Sequence, residues 1–436
     1  MSNAPFSASH PDSYYAASCQ TMPSWPVLEE SLEADVCIVG GGFTGINTAI
    51  ELAERGFKVV LIEANRIGWG ASGRNGGQLI RGVGHDLEQF RPVIGDQGIL
   101  RLKQLGFDAV EIVKERIAKY AIDCDLKLGY ADLANHPKQM AHLQDELQSL
   151  QQLNYAHPLK LVDAKDMASV VASEAYHGAL IDYGSGHLHP LKLALAEAQV
   201  AANLGVTLYE QSKVTSIEHG AISRVRTTQG EVKARFVVLA CNAYLNDLEP
   251  KLTGRVLPAG SYIIATEPLT DAQARTLIPQ DLALCDQKVI VDYYRLSADK
   301  RLLFGGACHY SGRDPRNIAA YMRPKMLSVF PQLEAANIDY SWGGMIAIGA
   351  NRLPQIGRLP EHPNCFYAQG YAGHGVNATH LAAHLVAEAI TGQAGGDFEL
   401  FAKVPHRTFP GGAALRAPLL ALGMAWYRLK DLIARV

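Results

Sequence analysis

No stretch of this sequence approaches the ~18 consecutive apolar residues that a membrane-spanning helix needs, so a spanning segment is not expected. The opening residues, Met1 to Tyr15, are polar, and they lack the basic start and apolar core of an export leader. Cysteine is sparse and unpatterned: seven residues, at positions 19, 37, 124, 241, 285, 308 and 365, with none at C-x-x-C spacing. An odd, scattered set argues against a disulfide framework and offers no frame for a metal, so none is expected; reduced thiols in the cytoplasm are the simplest reading. Charge of one sign is also missing. Forty Lys and Arg face 43 Asp and Glu, for a net charge of −3, which gives no electrostatic reason to expect nucleic acid or an anionic membrane as a partner. Internal repeats and low-complexity segments are absent too.

What is present is the composition of a globular enzyme: 436 residues, 48% hydrophobic and 19% charged. At ~100–200 residues per domain that length suits two domains or two interleaved lobes. Asp35–Val39 reads as a short apolar strand running into glycines. A helical pattern follows, with Ile46, Ala49, Ile50 and Ala53 on one face and Gly56 as its stop, and Lys58–Ile62 is a second strand closed by Glu63. This is a compact βαβ unit. Helical periodicity recurs over 99–119, 137–153, 191–204, 323–330 and 379–390. Strands are expected at 206–209, 214–217 and 236–240, with a hairpin near Gln229-Gly230, and the alternation from 255 to 310 suits a sheet of a second lobe.

Gly40-Gly41-Gly42-Phe43-Thr44-Gly45 matches G-x-G-x-x-G between that first strand and helix. The first glycine makes the tight turn, the second lets a pyrophosphate approach the backbone, and the third lets helix and strand pack closely. The helix N-terminus adds unpaired N–H groups and partial positive charge. Glu63 ends the second strand, where a carboxylate can accept the ribose hydroxyls of an adenosine and would repel a 2′-phosphate, disfavouring NADP. Ala64 and Val214 are also expected to bind the cofactor.

Two further glycine-bearing turns separate FAD from NAD. Ser72, Gly73, Asn75, Gly76, Gly77 and Gln78 follow Glu63 closely, a run of small residues and donors that can lie flat along an extended cofactor. Gly373, His374, Gly375 and Val376 precede the helix beginning near Thr379, and partial positive charge there would stabilise an anionic reduced flavin. Either turn alone could be a plain surface loop or helix start.

In this order, Ser72-Gly73-Arg74-Asn75-Gly76-Gly77-Gln78, His187-Leu188-His189-Pro190, Asp292-Tyr293-Tyr294-Arg295-Leu296 and Gly373-His374-Gly375-Val376 resemble blocks of the D-amino-acid-oxidase superfamily, specifically the γ-glutamylputrescine oxidoreductases. The likeness runs nearly end to end, from Ser13-Tyr14-Tyr15 to Phe409-Pro410-Gly411-Gly412. It implies an α/β fold (α+β overall): a Rossmann-like FAD-binding lobe interleaved with a mostly antiparallel β-sheet substrate lobe. The expected division is 32–90, 160–250 and 342–400 for the FAD lobe, 91–159 and 251–341 for the substrate lobe, and 401–436 as a C-terminal extension. The resemblance also implies oxidation of an amine C–N bond, with N-γ-glutamylputrescine or a related γ-glutamyl-polyamine as substrate, an imine that hydrolyses to aldehyde and ammonia, and dioxygen reduced to hydrogen peroxide. An amine dehydrogenase with another electron acceptor and an NAD-dependent dehydrogenase are the alternatives. Sarcosine oxidases hold FAD through a cysteine; this sequence has Ile or Met in the comparable stretch Gly343–Ile348, so non-covalent FAD is expected. The comparable strand of their oxygen-activating lysine, Arg301–Gly306, offers Leu303, leaving that role unassigned.

The flavin carries the hard chemistry, and the protein supplies orientation, desolvation and electrostatics. His374 is the first choice for electrostatic support of the flavin, with a structural turn histidine as the plainer alternative. His187, Tyr294, Trp342 and either Arg295 or Arg352 are the substrate-side candidates, the arginines for a bidentate carboxylate contact. His189 and Tyr293 stand beside them. Packing, capping and core roles compete at each of these positions. The amphipathic stretch Leu415–Ile433 is expected to dock on the enzyme's own core.

Overall fold

Val36, Cys37, Ile38 and Val39 form an uninterrupted buried run, as expected of a strand covered on both faces. In the computed structural model, which describes residues 9–288, 290–309, 314–393 and 395–412, this strand spans Ser31–Val39. It begins earlier than its apolar run because Ser31–Ala34 pair with Glu231–Ala234. Val59–Ile62, Thr207–Tyr209, Glu231–Leu239 and His362–Gln369 complete a parallel array, in the order 362–369, 231–239, 31–39, 59–62, 207–209. Gln355–Leu359 adds an antiparallel edge. A small meander, Ser216–Glu218 and Ser223–Arg226, pairs with the start of the Glu231–Leu239 strand.

The fingerprint helix, Phe43–Glu54, is buried from Phe43 to Leu52. It lies between the sheet and two more helices, Pro190–Asn203 and Gly375–Thr391. Each fully buried aliphatic side chain here contributes ~1.5–3 kcal/mol, so Ile46, Ile50 and Leu52 alone fix the helix against its neighbours. Gly56, at φ +82°, ends it. Cys37 and Cys365 pack as small apolar groups in a separate cluster with Val39 and Val237, where burial pushes Cys365 up to about 12, away from reactive thiolate character.

The second sheet has the order 338–349, 256–266, 302–309, 293–296, 283–286, 127–133, 178–187, 78–79, with Leu159–Asp163 also on Gly178–His187. All its pairs are antiparallel except Ala283–Asp286 with Lys127–Leu133. Its core centres on Tyr262, Tyr294, Phe304 and Phe330, with Tyr294 stacked on Phe304 at 5.5 Å and 4°.

The sheets divide the chain differently from the expected boundaries. Leu159–Asp163, Gly178–His187, Ile338–Gly349 and Gln78–Leu79 belong to the second sheet, not to the dinucleotide lobe. The reason is pairing: Gly178–His187 hydrogen-bonds to Lys127–Leu133 on one side and Leu159–Asp163 on the other. Two of these strands lie in segments without strong periodicity, so the pattern gives no sign of their ladder. Arg91–Lys119 is two helices meeting at Gly95, whose φ of 69° is non-helical. Among the described residues no helix is long and apolar enough to cross a membrane. The stretch Leu415–Ile433 lies outside the described residues.

Candidate active site

Between the two sheets runs one continuous cavity of about 2320 Å³. At one end the fingerprint turn forms its wall. Gly40 sits at φ +113°, and a Cβ there would lie 2.7 Å from Ala240 O. Gly42 caps the helix and lines the cavity with Phe43 and Thr44. Gly45 does not line it: a Cβ there would stand 1.9 Å from Gly40 O, so this glycine permits helix–strand contact. The Glu63 carboxylate is held by two backbone donors, Gly41 N–H to Oε2 at 2.7 Å and Asn65 N–H to Oε1 at 2.8 Å. Burial pushes its pKa up, and those same N–H groups pull it back down. Ala64 and Val214 line this end as well.

The glycine-rich loop forms the next wall. Ser72, Asn75, Gly76 and Gln78 face the cavity; Gly73 and Gly77 do not. A Cβ on Gly73 would meet Gly68 O at 2.3 Å, and one on Gly77 would meet Leu188 O at 2.1 Å. Ser72 Oγ accepts from Phe43 N–H at 2.9 Å, tying the loop to the fingerprint helix. Asn75 Oδ1 accepts from Gly77 N–H at 2.8 Å while its Nδ2 donates to Ala71 O and Ser72 O.

At the far end Gly373, His374, Gly375 and Val376 line the cavity at the N-terminus of the Gly375–Thr391 helix. A Cβ on Gly373 or Gly375 would meet nothing within 4 Å, so open space adjoins the helix end. His374 packs edge-on against His85 at 4.8 Å, and its Nδ1 is enclosed without a hydrogen-bond partner. Burial, then the His85 ring and Arg81, push His374 down to about 3. It is therefore a neutral imidazole at physiological pH. Positive potential at this end comes from the helix N-terminus and not from an imidazolium.

Most of the substrate-side candidates lie elsewhere. Arg295 is buried and donates to Gly76 O (2.8 Å), Leu188 O (2.8 Å) and Leu296 O (3.1 Å), so it buckles the glycine loop and has no fork free for a carboxylate. His187 is buried and bonded to Asp281 O at 2.8 Å, away from the cavity. His189 caps the Pro190–Asn203 helix through Nδ1, which accepts from Lys192 N–H. Tyr294 belongs to the core of the second sheet, and strand alternation turns its neighbour Tyr293 to the cavity. Trp342 is buried, donating from Nε1 to Arg74 O at 3.0 Å. Leu303 is likewise a core residue. Arg352 does line the cavity, where it pairs with Asp86.

A different polar group lines the cavity on the side of the second sheet. Arg81, two residues beyond the short Gln78–Leu79 strand, reaches Asp182 (2.9 Å), Glu146 (3.0 Å) and Asp132 (3.4 Å). Tyr155 donates to Asp182 and Tyr130 to Asp132. Arg81, Asp132, Glu146 and Tyr130 all line the cavity. Burial lowers the Arg81 pKa, but the three carboxylates outweigh it and keep the guanidinium charged. Burial pushes the Asp132 carboxyl up, against the pull of Arg81. The one signal of this group in the sequence is an aspartate inside an apolar strand, Tyr130-Ala131-Asp132-Leu133; its partners come from four distant segments, which no local pattern joins.

The fingerprint turn, a strand-end carboxylate fixed by backbone donors, and a second helix N-terminus across one cavity define a two-sheet dinucleotide-binding oxidoreductase site. The chain belongs to the FAD dependent oxidoreductase (DAO) family, whose model matches residues 35–389. It is 45% identical over 97% of its length to the gamma-glutamylputrescine oxidoreductase of Escherichia coli (strain K12), covering 98% of that protein. Its fold matches the crystal structure of glycine oxidase from Geobacillus kaustophilus with a TM-score of 0.72 at 24% identity, over 86% of this chain and 100% of that one. L-proline dehydrogenase from P. horikoshii matches at a TM-score of 0.69 and 21% identity, over 86% and 97% of the two chains. FAD fits the residues present: the cavity is continuous from Glu63 to the open space beside Gly373 and Gly375, and a Cβ at Gly42 would intrude to 2.9 Å from Ser72 Oγ.

Proposed function

We propose that this enzyme oxidises a primary amine C–N bond of a γ-glutamyl-polyamine such as N-γ-glutamylputrescine. The amine would become an imine, which takes up water to give aldehyde and ammonia, while dioxygen is reduced to hydrogen peroxide. Bound FAD supplies the two-electron acceptor. Glu63, the fingerprint turn and the Ser72–Gln78 loop would hold its nucleotide portion, and the Gly375–Thr391 helix end would support its ring without a covalent link, since Gly343–Ile348 contains no cysteine.

The observation that carries the amine reading is the charge of the Arg81 cluster. One guanidinium faces the carboxylates of Asp132, Glu146 and Asp182, an anionic excess at the cavity wall. Such a wall attracts the ammonium end of a polyamine chain. Tyr293 and Ile80 provide an apolar flank that disfavours the charged form of the reacting amine. The name of the Escherichia coli relative supports the same substrate class. The free thiols at Cys19, Cys37, Cys124, Cys241, Cys285 and Cys365 support a reducing compartment, the cytoplasm.

The test is a substrate screen with two readouts, anaerobic bleaching of the flavin and release of peroxide in air. γ-Glutamylputrescine should bleach the flavin and yield peroxide. Bleaching by glycine or proline alone would overturn the polyamine reading, and bleaching without peroxide would make the enzyme a dehydrogenase.

A further inference from the structure

Beneath the two helix ends that grip the cofactor lies a buried polar chain that substrate chemistry does not use. Asn47 is on the fingerprint helix, Glu197 on Pro190–Asn203 and His380 on Gly375–Thr391, and all three are buried. His380 Nδ1 is 2.6 Å from Val376 O. A carbonyl oxygen can only accept, so Nδ1 carries a proton. His380 Nε2 is 2.7 Å from Glu197 Oε1, and Glu197 Oε2 accepts from Asn47 Nδ2 at 2.9 Å. Asn47 Nδ2 also donates to Phe43 O at 3.0 Å. One proton lies between ring and carboxyl, so the pair is neutral overall whether written as imidazolium and carboxylate or as imidazole and acid.

The ends of this chain are informative. Phe43 and Val376 are first-turn residues of the two helices, and both line the cavity. The network therefore grasps the carbonyls of the very turns whose N–H ends face the cofactor. On the cavity side the fingerprint helix is also tied to the segment leading into the Gly375–Thr391 helix, by Thr44 Oγ1 and Tyr371 OH at 2.7 Å. Polar groups in a dry core cost free energy unless satisfied, and an apolar trio would hold three helices together at less cost. What hydrogen bonds add is a defined distance and rotation.

We infer that Asn47, Glu197 and His380 are positioning residues that fix the spacing of the two helix N-termini, and so set both the affinity for FAD and its reduction potential. Each helix N-terminus carries a partial positive charge of about half an elementary charge, an effect confined to its first turn. A small displacement of the Gly375–Thr391 helix would therefore weaken its hold on the reduced, more anionic flavin more than on the oxidised form. The inference rests on the FAD reading, not on the identity of the amine.

The test compares two variants. Glu197→Gln preserves every bond: its amide can donate to a neutral His380 Nε2 and its oxygen can accept from Asn47. Glu197→Leu/His380→Leu removes both partners together, leaving no buried charge uncompensated, so the fold should survive. Apoprotein melting, FAD dissociation constant and flavin midpoint potential are measured for both. The double leucine variant should melt near the wild type, bind FAD about tenfold more weakly, and hold the reduced form a further tenfold more weakly, a potential ~30 mV lower for a two-electron couple. Glu197→Gln should stay within about threefold of the wild type in affinity. Unchanged affinity and potential in a folded double variant would overturn the inference. So would an equal loss in Glu197→Gln, because geometry is kept there. Should the double variant not fold, Asn47→Leu replaces it: weaker FAD binding with a lowered potential supports the inference, and unchanged values overturn it. Wild-type apoprotein that fails to bind FAD would instead refute the cofactor assignment.

Discussion

Replacing Glu63 by glutamine separates two roles that one carboxylate performs. Its oxygens accept from Gly41 N–H and Asn65 N–H at 2.7 and 2.8 Å, and the same group lines the cavity where an adenosine ribose would lie. A glutamine has one accepting oxygen, so one backbone N–H must face an amide NH₂ and lose its partner. An unsatisfied buried donor costs ~1–3 kcal/mol, and this cost falls on apoprotein and holoprotein alike. The ribose contact changes differently: a hydrogen bond to a charged acceptor, worth ~1.5–3 kcal/mol, becomes a neutral one worth ~0.5–1.5 kcal/mol. That difference of ~1–1.5 kcal/mol acts only when FAD is bound and corresponds to about a tenfold rise in Kd. Titration of deflavinated protein with FAD, followed by quenching of flavin fluorescence, measures the second role, and apoprotein melting measures the first. A Kd within twofold of the wild type would show that Glu63 only braces the turn, and a nucleotide-recognition role would be refuted.

Other consequences are quicker to state. Gly45→Ala places a methyl where 1.9 Å separates it from Gly40 O, so the variant should express without flavin absorbance; a fully yellow protein would contradict the packing argument. Acid precipitation should leave FAD in the supernatant, and a yellow pellet would demonstrate a covalent link. Asp132→Asn and Glu146→Gln should each raise KM for a γ-glutamyl-polyamine about tenfold with kcat little changed, and an unaltered KM would remove the anionic wall from substrate recognition. Glu51 gives a pH test. Burial raises its pKa, but hydrogen bonds from His384 and Arg55 and the charge of Arg116 outweigh that and hold the carboxyl well below its ordinary 4.5. Bonding to Glu51 raises His384 above its ordinary 6.5 against opposing burial. The carboxylate contributes stability above pH 4.5 that is lost on acidification, and the histidine contributes stability below 6.5 that is lost as pH rises through its raised pKa. The Tm gap between wild type and Glu51→Gln should therefore be widest between these limits and narrow on both sides; a flat gap would refute the coupling.

The parts of the molecule legible in the sequence are those whose physics is local. The βαβ unit can be read because strand, glycine turn, helix and terminal acid follow one another within a short span, and each residue type has a backbone reason to be there. The Gly373–Val376 turn is visible on the same terms. Sheet membership is not, because no strong alternation marks Gly178–His187 and its partners, Lys127–Leu133 and Leu159–Asp163, lie in other segments. The substrate side is hidden for a related reason. Arg295 and Tyr294 sit in a block that resembles the family, yet strand alternation turns Tyr293 to the cavity and buries its neighbour. Arg81 has no nearby partner in sequence; its carboxylates come from positions 132, 146 and 182. Histidine charge is equally illegible, since His374 is set by what encloses it.

The short helix Tyr14–Ser18 precedes the dinucleotide unit, and the family match begins only at residue 35. Yet Tyr15 is wholly enclosed, stands edge-on to Trp342 at 5.1 Å and receives a hydrogen bond from Arg295, the residue that buckles the glycine loop. An expression boundary drawn at the family match would thus remove a wedge from under the cofactor's cradle. Trimming to residue 20 should cost flavin retention while the fingerprint, the glycine loop and the Gly373–Val376 turn all stay in place.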